Sequence, residues 1–228
     1  MAICNGFVTP ALSLRNCLAF VTAVLVPRAR SLTAPASRLL VTAVSGIGKA
    51  RPGVVIDRFI LPLLCEEGDV GGVGSAQCEL CTRLIKQVLP KHTLEAVLVG
   101  LCGPSLAENV GAGAWDQGPG GGGGETTGRG DRLCVWTELT MPVITAALNL
   151  KPTLSDSAIG ILVRRVETAS EQPKLQKSLK FTTLVHGLVT RYGPQLRPFL
   201  PALRSVIGRC STFMVKAVMA ALQRLDKT

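Results

Sequence analysis

Aromatic side chains are scarce in this sequence: two Trp, one Tyr and six Phe, 4% of 228 residues. All-β domains usually carry more aromatic and Thr content, and no window here alternates with period two over a useful length. Strands are therefore not expected. Charge is also sparse, at 18% of residues, which is low for a solitary soluble domain and leaves apolar surface to face a partner. Acidic residues are the rarer sign, 15 against 25 Lys and Arg, and none precedes Asp57. Long apolar runs are missing as well. No stretch approaches the ~18–20 residues needed to cross a bilayer, so no membrane span is expected.

The resulting net charge of +10 suits nucleic acid, an anionic membrane or an acidic protein surface. The positive residues are scattered, with no basic run of five, so the footprint of a dedicated nucleic-acid binder is missing. Nucleic acid remains a secondary expectation beside an acidic protein partner. The apolar segment Cys17 to Val26 and the acid-free start also fit a secretory signal or a mitochondrial presequence. Against both, that segment continues smoothly into later helices of the same character.

What the sequence has in quantity is small aliphatic side chains, 47% apolar residues resting on Leu, Val, Ala and Ile. Their spacing predicts ten helices. The first runs from about Leu14 to Val26 and ends at Pro27. The second has Thr33 as N-cap and Pro35 in its first turn, and Gly46 and Gly48 stop it. The third spans about Gly53 to Cys65, with a kink at Pro62. Glu66–Gly74 reads as a glycine-rich turn. Helices follow at about Ser75–Leu89, closed by Pro90, and Thr93–Cys102, closed by Gly103-Pro104.

Residues 111–130 break the pattern. The run Gly120–Gly124 has no side chains with which to pack, so Gly111–Gly130 is expected to be a flexible insertion loop within one domain, 1–228. Beyond it, helices are expected at about Cys134–Leu150, Leu154–Val166, Pro173–Tyr192, Gln195–Ile207 and Thr212–Leu225, with Thr153 and Ser211 as N-caps. Helices of this length in loose pairs, separated by short Pro/Gly turns, predict an all-α fold of stacked antiparallel helix pairs, a HEAT/ARM-like solenoid.

Catalytic constellations do not emerge. Cys78-x-x-Cys81 lacks the two further ligands that zinc needs at matching spacing. The eight cysteines mostly sit in apolar helical patterns (Cys17, Cys65, Cys81, Cys102) and read as free buried thiols. His92 and His186 are far apart, and no GxSxG elbow accompanies either. Gly46-Ile47-Gly48-Lys49 lacks the spacing and hydroxyl of a phosphate loop. Arg129-Gly130-Asp131 is a three-letter match in a glycine loop and carries no chemistry. No enzyme activity, cofactor or metal is expected.

Three segments carry a family resemblance. Ser31-Leu-Thr-Ala-Pro-Ala-Ser-Arg-Leu-Leu40, with Thr42 and Ala43, resembles an SLT-x-x-ASRLL-x-TA helix. Ala76-Gln77-Cys78-Glu79-Leu80 is similar to the start of a middle helix. Thr212-Phe213-Met214-Val215-Lys216, through Ala220-Ala221-Leu222 to Leu225, resembles a terminal TFL-x-K-x-L-x-AAL-x-x-L helix. Order and spacing agree, across about residues 12–228, with the C-terminal helical-repeat domain of the Fanconi anaemia group E family. The glycine insertion departs from that pattern, and the chain is expected to lack the family's long N-terminal region. The resemblance implies a nuclear, non-enzymatic adaptor in DNA interstrand-crosslink repair. In that role it would associate with the group C subunit and other proteins of the core-complex ubiquitin ligase, and present the group D substrate for monoubiquitination.

The candidate partner-binding residues are Phe213, Met214 and Lys216. The terminal core stripe is Met214, Val218, Ala221, Leu222 and Leu225. Phe213 falls about 100° off Met214, on the side of Lys216, Ala220, Gln223 and Lys227. It is either tucked under the preceding turn as a hydrophobic staple or displayed to a partner.

Overall fold

In a computed structural model, which describes residues 13–65, 73–103 and 134–227, the chain is all-helical. Ten helices pack together, and no strand occurs among the described residues. α1 comprises Leu14–Phe20, a π-helical turn Val21–Leu25 and Val26–Arg30. α2 is Arg38–Ala50. α3 comprises Pro52–Val55, a second π-helical turn Ile56–Ile60 and Leu61–Cys65. α4 is Ser75–Gln87, and a 3₁₀ turn Lys91–Thr93 leads into α5, Leu94–Cys102. α6 is Met141–Asn149 and α7 is Asp156–Ser170. A single helical turn Pro173–Gln176 precedes α8, Leu179–Leu196. After a 3₁₀ turn Arg197–Phe199 come α9, Leu200–Gly208, and α10, Val215–Lys227.

The packing is regular. Each helix from α1 to α8 packs on its next-but-one neighbour, so α1, α3, α5, α7 and α9 form one row and α2, α4, α6, α8 and α10 form another. The rows meet through α2–α3, α3–α4, α5–α6, α7–α8 and α9–α10. One continuous core runs between them, from Cys17 to Leu222. Helices of one row run parallel: Lys180 reaches the Glu138 carbonyl at one end of the α6–α8 pair (3.4 Å), and Arg191 reaches Asn149 at the other. Thr182 likewise meets Thr212 at the start of α8 and α10, and Gly193 lies against Leu225 near their ends.

Several predicted boundaries move, each for a local reason. Pro27 does not end α1. It follows the first π turn, whose i→i+5 bond from the Val26 N–H to the Val21 carbonyl carries the helix past it to Arg30. Pro62 is seated identically, two residues after the second π turn, where the Leu61 N–H bonds to the Ile56 carbonyl. A widened turn takes up the extra residue a proline would otherwise strain. Gly46 and Gly48 lie inside α2 rather than stopping it. At Gly48 a Cβ would stand 2.6 Å from Val88, so this glycine permits close approach to the segment ending α4. The N-caps of α2 and α7 are Ser37 and Ser155, whose hydroxyls accept from Leu40 and Ala158. Thr33, Pro35 and Thr153 all fall before those helices.

Residues 134–140 are not helical. Trp136 is fully buried with its indole N–H on the Leu101 carbonyl (2.9 Å), and that anchor competes with helix formation until Pro142 at the start of α6. The expected helix Pro173–Tyr192 is split at Ser178, which caps α8, and Tyr192 itself is kinked (φ −117°, ψ 21°). α9 starts at Leu200, past Pro198 and with Pro201 in its first turn, the late start those two prolines lead one to expect. α10 starts at Val215, four residues after Ser211, and the Thr212 hydroxyl before it donates to Thr182 (2.9 Å). Gly111–Gly130 and most of Glu66–Gly74 lie outside the described residues.

Candidate partner-binding surface

The turn before α10 is held in several places. The Ser211 N–H donates to the Gln176 carbonyl (3.0 Å), and Thr212 bonds Thr182. Arg209 donates to the Ser170 hydroxyl (2.9 Å) and faces Glu171 at 3.9 Å. Along α10 the stripe turns inward as its period demands: Val218 and Leu222 are fully buried, while Met214, Ala221 and Leu225 are half-buried. Lys216, Ala220 and Gln223 are exposed.

Phe213 stands out at 77% exposed, the most exposed large apolar side chain among the described residues. A staple would bury it. Phe213 is displayed, on a turn tied down at Arg209, Ser211 and Thr212. Lys216 shares its open side, and Met214 is divided between core and surface.

Sequence reasoning missed the company Phe213 keeps. Leu179, the first residue of α8, and Val135 and Leu139, just before α6, are also exposed. So is Leu39, at the start of α2. Because the helices of this row run parallel, their N-terminal ends line one edge. Five of the seven exposed large apolar residues among the described residues lie there: Leu39, Val135, Leu139, Leu179 and Phe213. The apolar spacing of α2 assigns Leu39 to the buried face with Leu40, Ala43, Val44 and Ile47, but it is exposed at the helix start while the other four are buried; only the parallel row aligns it with the rest.

No protein-family model matches the chain, and no curated protein matches it.

The described cysteines belong to the core. The seven described ones are all free and buried, whereas Cys4 lies outside the described residues. Burial, with some repulsion from Cys134, pushes the Cys78 thiol up to about 11. Burial likewise takes Cys102 up to about 12. Cys81 is raised by burial and by neighbouring Cys78. Thiols held protonated in this way are poor nucleophiles and poor metal ligands at neutral pH. Among the described residues no three His, Cys, Asp or Glu side chains converge as a metal site would require.

Cys134 differs. A hydrogen bond from Cys65 lowers its pKa against the effect of burial, aided by the nearby Arg165 guanidinium. Its Sγ lies 3.4 Å from the Leu64 carbonyl. Arg165 donates through Nη2 to the Cys134 carbonyl and lies over the Trp136 ring, 5.8 Å from its centroid. These contacts fix residues 134–136 against α3, α5 and α7 and so position Leu139 on the edge.

His92 is exposed in its 3₁₀ turn. His186 lines a surface cavity on α8, described below. No described helix is long and apolar enough to cross a membrane.

Proposed function

We propose that the chain is a non-enzymatic adaptor built as a HEAT/ARM-like helical-repeat solenoid, as its resemblance to the Fanconi anaemia group E family implies. In this reading it acts in the nucleus, in interstrand-crosslink repair. It joins the group C subunit and the rest of the core-complex ubiquitin ligase to the group D substrate. The next-but-one packing of helices in two parallel rows supports the solenoid reading, because stacked helical repeats pack in that way.

The observation that carries the functional reading is Phe213, 77% exposed on a pinned turn at an apolar edge. Exposing a large aromatic on a rigid turn has no benefit for folding, whereas aromatic anchors dominate protein interfaces. Lys216 beside it suits an acidic rim on the partner.

The test is Phe213→Ala, with affinities for the group D substrate and the group C subunit measured alongside a melting curve. Group D binding should weaken by about 2 kcal/mol or more, with group C binding and melting retained. Unchanged group D binding would overturn the site assignment. The net charge of +10 motivates a second reading, a nucleic-acid-binding helical repeat. It predicts submicromolar DNA affinity at low salt that falls steeply as salt rises.

A further inference from the structure

A cavity of about 560 Å³ opens on the face of α8 where it passes the end of α6, lined by Lys151, Pro152, His186, Gly187, Thr190, Arg191 and Tyr192. Three of these carry cationic or N–H donor groups, and no Asp or Glu is among them. Its volume falls within the ordinary range for small-ligand sites.

The cavity is built from two backbone irregularities. Lys151, with φ 52°, is the one non-glycine residue in the left-handed region among the described residues. It terminates α6, its N–H bonding to the Leu148 carbonyl (3.0 Å). Helices ending this way normally place glycine there, since a side chain is strained in that region. The second irregularity is the kink at Tyr192, whose hydroxyl donates to the Pro152 carbonyl (2.9 Å). One hydrogen bond thus joins the kink to the residue after Lys151, and both of its partners line the cavity.

The guanidinium is placed with similar care. Arg191 donates through Nη2 to Asn149 Oδ1 (2.5 Å), and its Nε is buried without a partner. A Cβ on Gly187 would stand 2.5 Å from Arg191 Nη1, so the guanidinium lies along α8 because residue 187 has no side chain. Thr190 has committed its hydroxyl proton to the His186 carbonyl (2.8 Å), leaving Lys151, His186 and Arg191 as the donors. Two fixed positive charges and an imidazole, approaching from two elements, match a tetrahedral dianion better than a planar carboxylate, for which a bidentate arginine is the usual partner.

We infer that this notch binds a phosphate monoester, with Lys151 and Arg191 neutralising the charge and His186 supplying a further hydrogen bond. It is independent of the edge carrying Phe213. The strained lysine is the informative residue. Lys151→Gly removes the charge and relieves the backbone, so a merely structural lysine would be replaced with no loss of any kind.

The experiment titrates the full chain, followed by nuclear magnetic resonance of the Gly187 backbone amide in the cavity wall, with inorganic phosphate, a phosphoserine peptide, or chloride at matched ionic strength. Saturable shifts with phosphate and not with chloride are expected, weakened about tenfold or more in Lys151→Gly and in Arg191→Ala. Melting of Lys151→Gly should be unchanged or higher. A peptide that binds more tightly than inorganic phosphate identifies the source as a phosphorylated partner side chain; equal binding identifies a free phosphorylated small molecule. Equal responses to phosphate and chloride, no saturation, or full binding by Lys151→Gly would overturn the inference.

Discussion

Trp136→Phe isolates one hydrogen bond that holds the non-helical segment before α6. The indole is fully buried, its N–H on the Leu101 carbonyl at 2.9 Å and its ring beneath the Arg165 guanidinium. Phenylalanine keeps most of the packed ring but has no donor. The Leu101 carbonyl sits near the end of α5, where helical partners run out. Leaving that buried acceptor unpaired costs about 1–3 kcal/mol, and the smaller ring adds a modest packing loss. A total near 2 kcal/mol corresponds to a fall in Tm of roughly 4–8 °C for a chain of this size. Urea denaturation followed by far-ultraviolet circular dichroism, at constant slope, gives the value directly. Destabilisation below about 0.5 kcal/mol, within the range of a neutral surface change, would show that the indole N–H does not secure the segment. Trp136→Ala should be worse by a further few kcal/mol, because it also leaves a cavity.

Three other outcomes follow from the same interior. Ser155→Ala removes the α7 cap and the hydroxyl's 2.6 Å bond to Glu95, and should cost about 1 kcal/mol in chemical denaturation. In the native protein few cysteines should react with an exposed-thiol reagent, and the full set should react after unfolding without reductant; disulfides found by mass would contradict the free thiols described here. Alkaline pH should destabilise the fold. Cys78 and Cys102 are raised from 9.0 to about 11 and about 12, so the unfolded chain releases these protons first. Their contribution is complete below pH 9 and is lost as pH rises towards 11–12, so Tm measured across that range should fall, and a flat profile would refute it.

Helix existence was legible because the apolar stripes are long and regular, as at Phe181, Leu184, Val185 and Leu188, all fully buried. Boundaries were less so, wherever a tertiary contact outweighed a local signal. Gly48 reads as a helix stop until Val88 is seen against it. Pro27 reads as an end because a widened turn has no sequence signature of its own. The strongly apolar text around Trp136 reads as helix, yet its bond to Leu101 spans 35 residues, beyond any local pattern. Of the candidate site, Phe213 was visible as an apolar residue on the wrong side of a stripe. Leu139 and Leu179 were not, because their alignment depends on helices running parallel across the row. Lys151 and Arg191 were equally hidden, since scattered cations show no convergence until the chain turns.

The two-row packing also bears on how the chain acquires its structure. Every principal helix contact is with the next helix or the next but one. Apart from residues 104–133, which separate α5 from α6, ordering one helix needs only short connections to close before apolar surface is buried. A chain organised in this way is suited to folding progressively as it leaves the ribosome, each new helix docking on a platform already made by the two before it.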